Sequence, residues 1–190
     1  SISNSGSIDG GVAGMRNESA AITSLINQGE ISGGSRGIYN TSSGTIGTLT
    51  NQGTISGGTS GIGNRGAIGT LTNSGTISSE SGGINHLAGT IDRLINSGLI
   101  SGGSTGIYNG GATDTLINSG TISGGFSGIF NDTTGTIGTL SNLGTISGGA
   151  RSIGNWGTIS ALRNFGTMGE IRNNGLIETL VNGQGGAGGG

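Results

Sequence analysis

The chain has 190 residues, 47 of them Gly, no Pro and no Cys, with a formal net charge of −2 and only 8% charged residues. Lacking Pro and a three-residue Gly period it is not collagen, and lacking Cys it has neither a disulfide framework nor a thiolate metal site. A small net charge with Ile at regular places does not fit disorder, the seven basic residues are Arg scattered singly between Arg16 and Arg172 and make no stripe for nucleic acid, and no run of about 18 apolar residues offers a membrane span.

In chain order the sequence is one unit repeated. Copies open at Ile2, Leu25, Leu49, Leu71, Leu94, Leu116, Leu140 and Leu162, so successive starts lie 22 to 24 residues apart, a spacing suited to one coil of a β-helix. Each unit holds two heptads of the form Φ-x-Asn-x-Gly-x-Ile, where Φ is Ile, Leu or Met. The coil from Leu49 shows both: Leu49, Asn51, Gly53 and Ile55, a six-residue link, then Ile62, Asn64, Gly66 and Ile68, then Gly69-Thr70 before Leu71. Longer coils carry their extra residues at one place, between the second Asn and its Gly, as in Asn40–Gly44 and Asn131–Gly135. Insertions confined to one place imply a loop on one side of a stack.

Two stretches depart from the rule. Ile84-Asn85 lacks the intervening residue, and His86-Leu87-Ala88 follows before Gly89; near the C-terminus Met168-Gly169-Glu170-Ile171 shortens the six-residue link to two. The last coil, 18 residues from Leu162 to Leu180, is expected to be a narrower cap. Residues 1–182 read as one solenoid domain, and 183–190 as a Gly-rich flexible tail or linker. Because the chain opens inside a repeat, it reads as a piece of a longer one.

Within a heptad the period is two: Φ, Asn, Gly and Ile share one parity, while Thr, Ser and Arg fill the other. Helix fails, since each Gly in a helix interior costs about 1 kcal/mol. A lone heptad cannot bury its apolar side, so stability must come from stacking. The expected fold is therefore all-β, a single-stranded parallel β-helix (β-solenoid) of about eight coils. Two Asn columns follow from the alignment. The first is Asn4, Asn27, Asn51, Asn73, Asn96, Asn118, Asn142 and Asn164, with Asn182 continuing it; the second is Asn17, Asn40, Asn64, Asn85, Asn109, Asn131, Asn155 and Asn173. Stacked Asn amides can bond along the stack as a ladder, and Asn tolerates the left-handed conformation that a corner before Gly can demand. The columns are expected inside or at corners, serving both purposes; the alternative is a polar ligand row on the surface.

Runs such as Leu49-Thr50-Asn51-Gln52-Gly53-Thr54-Ile55 and Asn118-Ser119-Gly120-Thr121-Ile122-Ser123-Gly124-Gly125 resemble the Asn-x-Gly-Thr-Ile repeats of bacterial autotransporter (type V secretion) passenger domains, from Ile2 to about Asn182. The resemblance implies a right-handed β-helical stalk at the surface of a Gram-negative cell or secreted from it. It also implies adhesion, a virulence role, and a host-cell or bacterial surface receptor or glycan as partner.

Candidates for chemistry are few. Asp92 and Asp114 fall at equivalent places in neighbouring coils, where a glycosidase pair is conceivable on spacing alone; solvated neighbours beside Arg93 explain them more simply, and no enzyme activity or cofactor is expected. His86, the only His, cannot make a usual zinc site without Cys and reads as an exposed loop residue. Tyr39, Tyr108 and Phe130 share the outward position between Ile and Asn of the second heptad, Tyr108 and Phe130 should stack, and Phe126 lies in the link just before. They are the candidate ligand contacts, as a sugar platform; the plainer reading is cross-coil packing for stability. Thr rows (Thr48, Thr50, Thr70 and Thr72; Thr54, Thr76, Thr121, Thr145 and Thr167) suggest ice as a lesser alternative, interrupted by Arg93 in one and by Glu30 and Leu99 in the other. Bare strand edges favour weak end-to-end self-association, expected through the N-terminal end because the short last coil should blunt the other. Trp156 also breaks the repeat rule.

Overall fold

A computed structural model describes residues 1–183. The chain winds as a parallel β-solenoid with no helix. Each turn contributes three strands, and like strands stack into three parallel sheets of nine, eight and eight strands. In the turn around Leu49 these are Thr45–Asn51 in the first sheet, Thr54–Gly57 in the second and Ser60–Asn64 in the third. Eight strands in a sheet are separated by seven steps, so the stack makes about seven turns, where the repeat gives about eight coils. The residues of the 183–190 tail beyond Gly183 lie outside the described residues.

The register repeats from turn to turn: Leu49 faces Leu71, which faces Leu94, and Asn51 faces Asn73, which faces Asn96. Inside run columns of fully buried aliphatics, with Leu49, Leu71 and Leu94 from the first sheet, Ile55, Ile77 and Ile100 from the second, and Ile62, Ile84 and Ile107 from the third. Every buried methyl therefore packs within its own turn and against the turns above and below, which lets a thin rod bury an apolar core.

The heptads and the strands do not coincide. A heptad bends around a corner: Leu49 and Asn51 lie at the end of a first-sheet strand, and Ile55 lies in the second-sheet strand that opens at Thr54. The two-residue link Gly69-Thr70, conversely, is no corner but lies within the strand Ala67–Asn73. There Ile68 and Leu71 both point inward although three residues apart, and the ladder skips Gly69. Period two breaks at this point because two consecutive residues face out.

The corner Asn residues do not use the left-handed conformation. No described non-Gly residue has positive φ, and among the Gly only Gly89 does, at +78°. Most corner glycines serve close approach instead: a Cβ on Gly53 would run into the carbonyl oxygen of Gly29 one turn earlier. The extra residues of the longer turns do form loops at one corner, between the third and first sheets, closed by Gly44 N–H on Thr41 O at 2.9 Å and Gly135 N–H on Asp132 O at 2.8 Å.

The last turn is narrowed as expected. Its second- and third-sheet strands shrink to Thr167–Met168 and Ile171–Asn173. Yet its final strand, Leu176–Asn182, keeps seven residues. Among the described residues nothing pairs with its outer edge, where Leu176, Leu180 and Val181 are exposed. The narrowing does not blunt the first sheet there: its last described strand is a full-length edge, as the narrower-cap expectation did not foresee.

Candidate functional site

The two Asn columns are internal ladders. Asn4, Asn27, Asn51, Asn73, Asn96, Asn118, Asn142, Asn164 and Asn182 form one continuous run, each Nδ2 donating to the Oδ1 of the next at 2.8 Å. From Asn4 to Asn142 each amide also closes its own corner and the next: Asn51 Nδ2 reaches Gly53 O at 3.1 Å and Thr76 O at 3.0 Å. The column thus satisfies carbonyls that the strand ladders leave free at the bend, and the surface-row alternative does not apply to it.

The second column is interrupted. Asn17, Asn40 and Asn64 form one run, and Asn109, Asn131, Asn155 and Asn173 another. The residue between the runs is not Asn85. The register sets Asn85 against Gly63, and His86 against Asn64 and Asn109. Asn85 turns outward, bonding Thr59 O at 3.2 Å. His86, expected in an exposed loop, is buried at 1% exposure. The apparent gap between Ile84 and Asn85 is a one-residue change of partner: Ile84 keeps its place and His86 takes the Asn position.

This substitution has a matching change one turn on. Asn64 Nδ2 lies 3.1 Å from His86 Nδ1, and His86 Nε2 lies 3.2 Å from Ala112 O. An amide donor on one side and a carbonyl on the other assign the neutral tautomer with hydrogen on Nε2. Asn109 Oδ1 then loses the amide it would otherwise receive, and Thr113 Oγ1 supplies a hydrogen bond at 2.9 Å. Thr113 occupies a core position that is Ile91 and Ile137 in the adjacent turns, so a hydroxyl stands where the neighbours place a methylene.

Burial pushes the His86 pKa below its ordinary value of 6.5, partly opposed by the hydrogen bond to the Ala112 carbonyl. With the folded value below the unfolded one, the unfolded chain binds more protons between the two. Stability is therefore complete above about pH 6.5, falls as the pH drops from there toward the folded value, and levels off below it. Thermal melts of the double variant His86→Asn/Thr113→Ile should lose this acid dependence and gain about 1 kcal/mol from the restored ladder bond. An unchanged slope between pH 7 and pH 5 would show that His86 does not carry it.

The outward aromatics fall into two groups. Tyr39 stands apart from the others, with the guanidinium of Arg36 at 4.4 Å and that of Arg16 at 5.8 Å from its ring centre. Tyr108 and Phe130 stack on adjacent turns, centroids 5.8 Å apart and planes 17° apart. The Tyr108 hydroxyl donates to Asp132 Oδ2 at 2.6 Å, tying the aromatic column to the inserted loop. Burial and the Asp132 carboxylate raise the Tyr108 pKa to about 12, so the phenol remains a donor at neutral pH.

Trp156, no member of the outward column, joins this group. Its ring centre lies 4.9 Å from that of Phe130, in space opened by Gly154, whose Cβ would sit 2.7 Å from Trp156 Cζ3. Arg151 bridges Phe126 and Trp156, its guanidinium 4.3 Å and 5.0 Å from the two rings. Phe126 is 51% exposed. The sequence signal for Trp156 was there to find: Gly154 stands where the turn before has Phe130, leaving room for a neighbouring ring.

Elsewhere the surface is regular. Thr54, Thr76, Thr121, Thr145 and Thr167 share a column of the second sheet, interrupted by Leu99 and led by Glu30, beside an unbroken column of Ser32, Ser56, Ser78, Ser101, Ser123 and Ser147. Asp92 and Asp114 are exposed. A shallow open groove follows the glycine corner beside the second sheet, past Gly33, Gly57, Gly58 and Glu80. Among the described residues no three His, Asp or Glu side chains gather as for a metal ion, and no helix is long and apolar enough to cross a membrane.

The fold defines the class, a parallel β-solenoid. No protein-family model, curated protein or solved structure matches the chain.

Proposed function

We propose that this solenoid is a stalk segment of a secreted or surface-anchored bacterial protein, wound right-handed and carrying adhesive contacts to a host-cell or bacterial surface receptor. The observation that carries the reading is the unbroken first Asn ladder. It runs through nine strands, Asn4 to Asn182, at a constant 2.8 Å step, and ties every turn to the next independently of the sheets. Strands about 4.8 Å apart make a rod of roughly 38 Å from nine of them. A rod whose recurrent residues are spent on its own continuity suits a spacer, and the Asn-x-Gly-Thr-Ile resemblance suggests the Gram-negative cell surface as its place. The reading is tested by labelling intact cells of the source organism with antibody raised against residues 1–183. Staining without permeabilisation is expected; staining that needs permeabilised cells would overturn it.

A further inference from the structure

The stalk reading leaves Trp156 and its arginines unassigned. Arg151 is buried to 6% exposure, its Nε held by Ser127 Oγ at 3.0 Å and its plane set by Phe126 and Trp156. Arg172, exposed on the narrowed last turn, brings a second guanidinium to 5.8 Å from the same indole. The single ion pair among the described residues joins Arg16 and Glu18, so neither arginine here has a carboxylate partner. Of the nearby acids, Asp132 is engaged by the Tyr108 hydroxyl, and Glu170 is exposed with no ion pair to Arg151 or Arg172.

Three features therefore meet at one place: a half-buried indole, a guanidinium fixed before any ligand arrives, and a second guanidinium free to adjust. An aromatic face packs against the C–H face of a pyranose, and a guanidinium takes a carboxylate through two parallel hydrogen bonds. Fixing Arg151 in advance reduces the ordering cost of binding. Phe130 is less suited to stacking because it lies between the Tyr108 and Trp156 rings, and Tyr108 carries the Asp132 carboxylate on its hydroxyl, which repels an acidic sugar.

We propose that Trp156, Arg151 and Arg172 form a binding site for an acidic saccharide, with a sugar ring on the indole and a uronate carboxylate between the guanidinium groups. This moves the ligand contact from Tyr39, Tyr108 and Phe130 to the C-terminal turns and keeps Phe126 as a wall behind Arg151. It does not depend on the stalk reading, since a spacer and a free-standing protein could each carry such a site.

The chain has one Trp and two Tyr, so fluorescence excited selectively at the indole, beyond the Tyr absorption, reports on this site alone. Titration with a hyaluronan hexasaccharide should shift the emission saturably, while neutral maltohexaose should bind at least about tenfold more weakly. Arg172→Gln should weaken hyaluronan binding about tenfold, the size of one charge-assisted contact, with an unchanged far-UV spectrum; the exposed position of Arg172 makes loss of folding a lesser concern than at Arg151. Tyr39→Leu, at a ring that stands beside Arg16 and Arg36 and apart from the indole, should retain binding. Equal responses to maltohexaose, to inorganic phosphate or to anionic phospholipid vesicles would overturn the proposal, as would no response to hyaluronan at millimolar concentration.

Discussion

Asn96→Asp should destabilise the solenoid by about 4 kcal/mol or more, although it exchanges one NH2 for one oxygen. Asn96 is wholly buried, and its Nδ2 donates to Gly98 O at 3.1 Å, Asn118 Oδ1 at 2.8 Å and Thr121 O at 3.1 Å. In the aspartate an oxygen faces three acceptors. If ionised it is a buried charge with no donor on that side; if protonated it offers one hydrogen to three oxygens. Either state leaves buried polar groups unpaired, at roughly 1–3 kcal/mol each and more for a charge. A solenoid is close to a one-dimensional stack of nearest-neighbour contacts, so the loss should be local and divide the rod. Differential scanning calorimetry should then show two transitions in place of one.

The control lies at the end of the same column. Asn182 accepts from Asn164 Nδ2 at 2.8 Å and is itself exposed. Asn182→Asp keeps that acceptor and should change stability by less than about 0.5 kcal/mol. If the two variants melt alike, the ladder's donors are not what holds the turns together.

Gly106→Ala should cost about 3 kcal/mol, near the upper end for overpacking a close-packed site. A Cβ there would sit 2.6 Å from Gly128 O, 2.8 Å from Ile122 Cγ2 and 2.8 Å from Ser123 O. Two of the three are backbone atoms of strands already in register, so relief requires moving a turn. Gly37, Gly61 and Gly128 occupy the same column and meet the next turn's Ile in the same way. In that column the chain also places Ser152, aligned with Gly128 between paired neighbours. It is tolerated because the turn beyond is the narrowed one. Ser152 Oγ there accepts the Gly169 N–H at 2.7 Å, while the Ser152 and Ile153 N–H groups both reach Glu170 O. Ser152→Gly should therefore lose about 1 kcal/mol, one hydrogen bond, and gain nothing in space. Urea midpoints for the two variants check both numbers, and a harmless Gly106→Ala would refute the close-approach account.

The sequence alone determined the repeat, the parallel stack, the inward parity of Leu, Ile and Asn, and the corner that takes insertions. These follow from spacing, because in-register stacking makes every turn present the same residue at the same place. The Tyr108–Phe130 stack was legible for that reason. Only the tertiary structure decided how many strands make a turn. The heptad hides the corner, since Asn, Gly and Ile keep one parity while the backbone bends between them, and Gly69-Thr70 resembles a link while lying within a strand.

The irregular residues were less legible still. Nothing in the order Ile84-Asn85-His86 says which side chain enters the ladder; the fixed register of Ile62, Ile84 and Ile107 decides it, and His86 is carried inside. Thr113 gains its reason only from His86 one turn away. The grouping of Trp156 with Arg151 and Arg172 joins residues from two turns and a corner, which no single heptad contains. Repetition made the scaffold readable from one dimension, whereas each departure from it takes its meaning from the neighbouring turn, 18 to 24 residues distant along the chain.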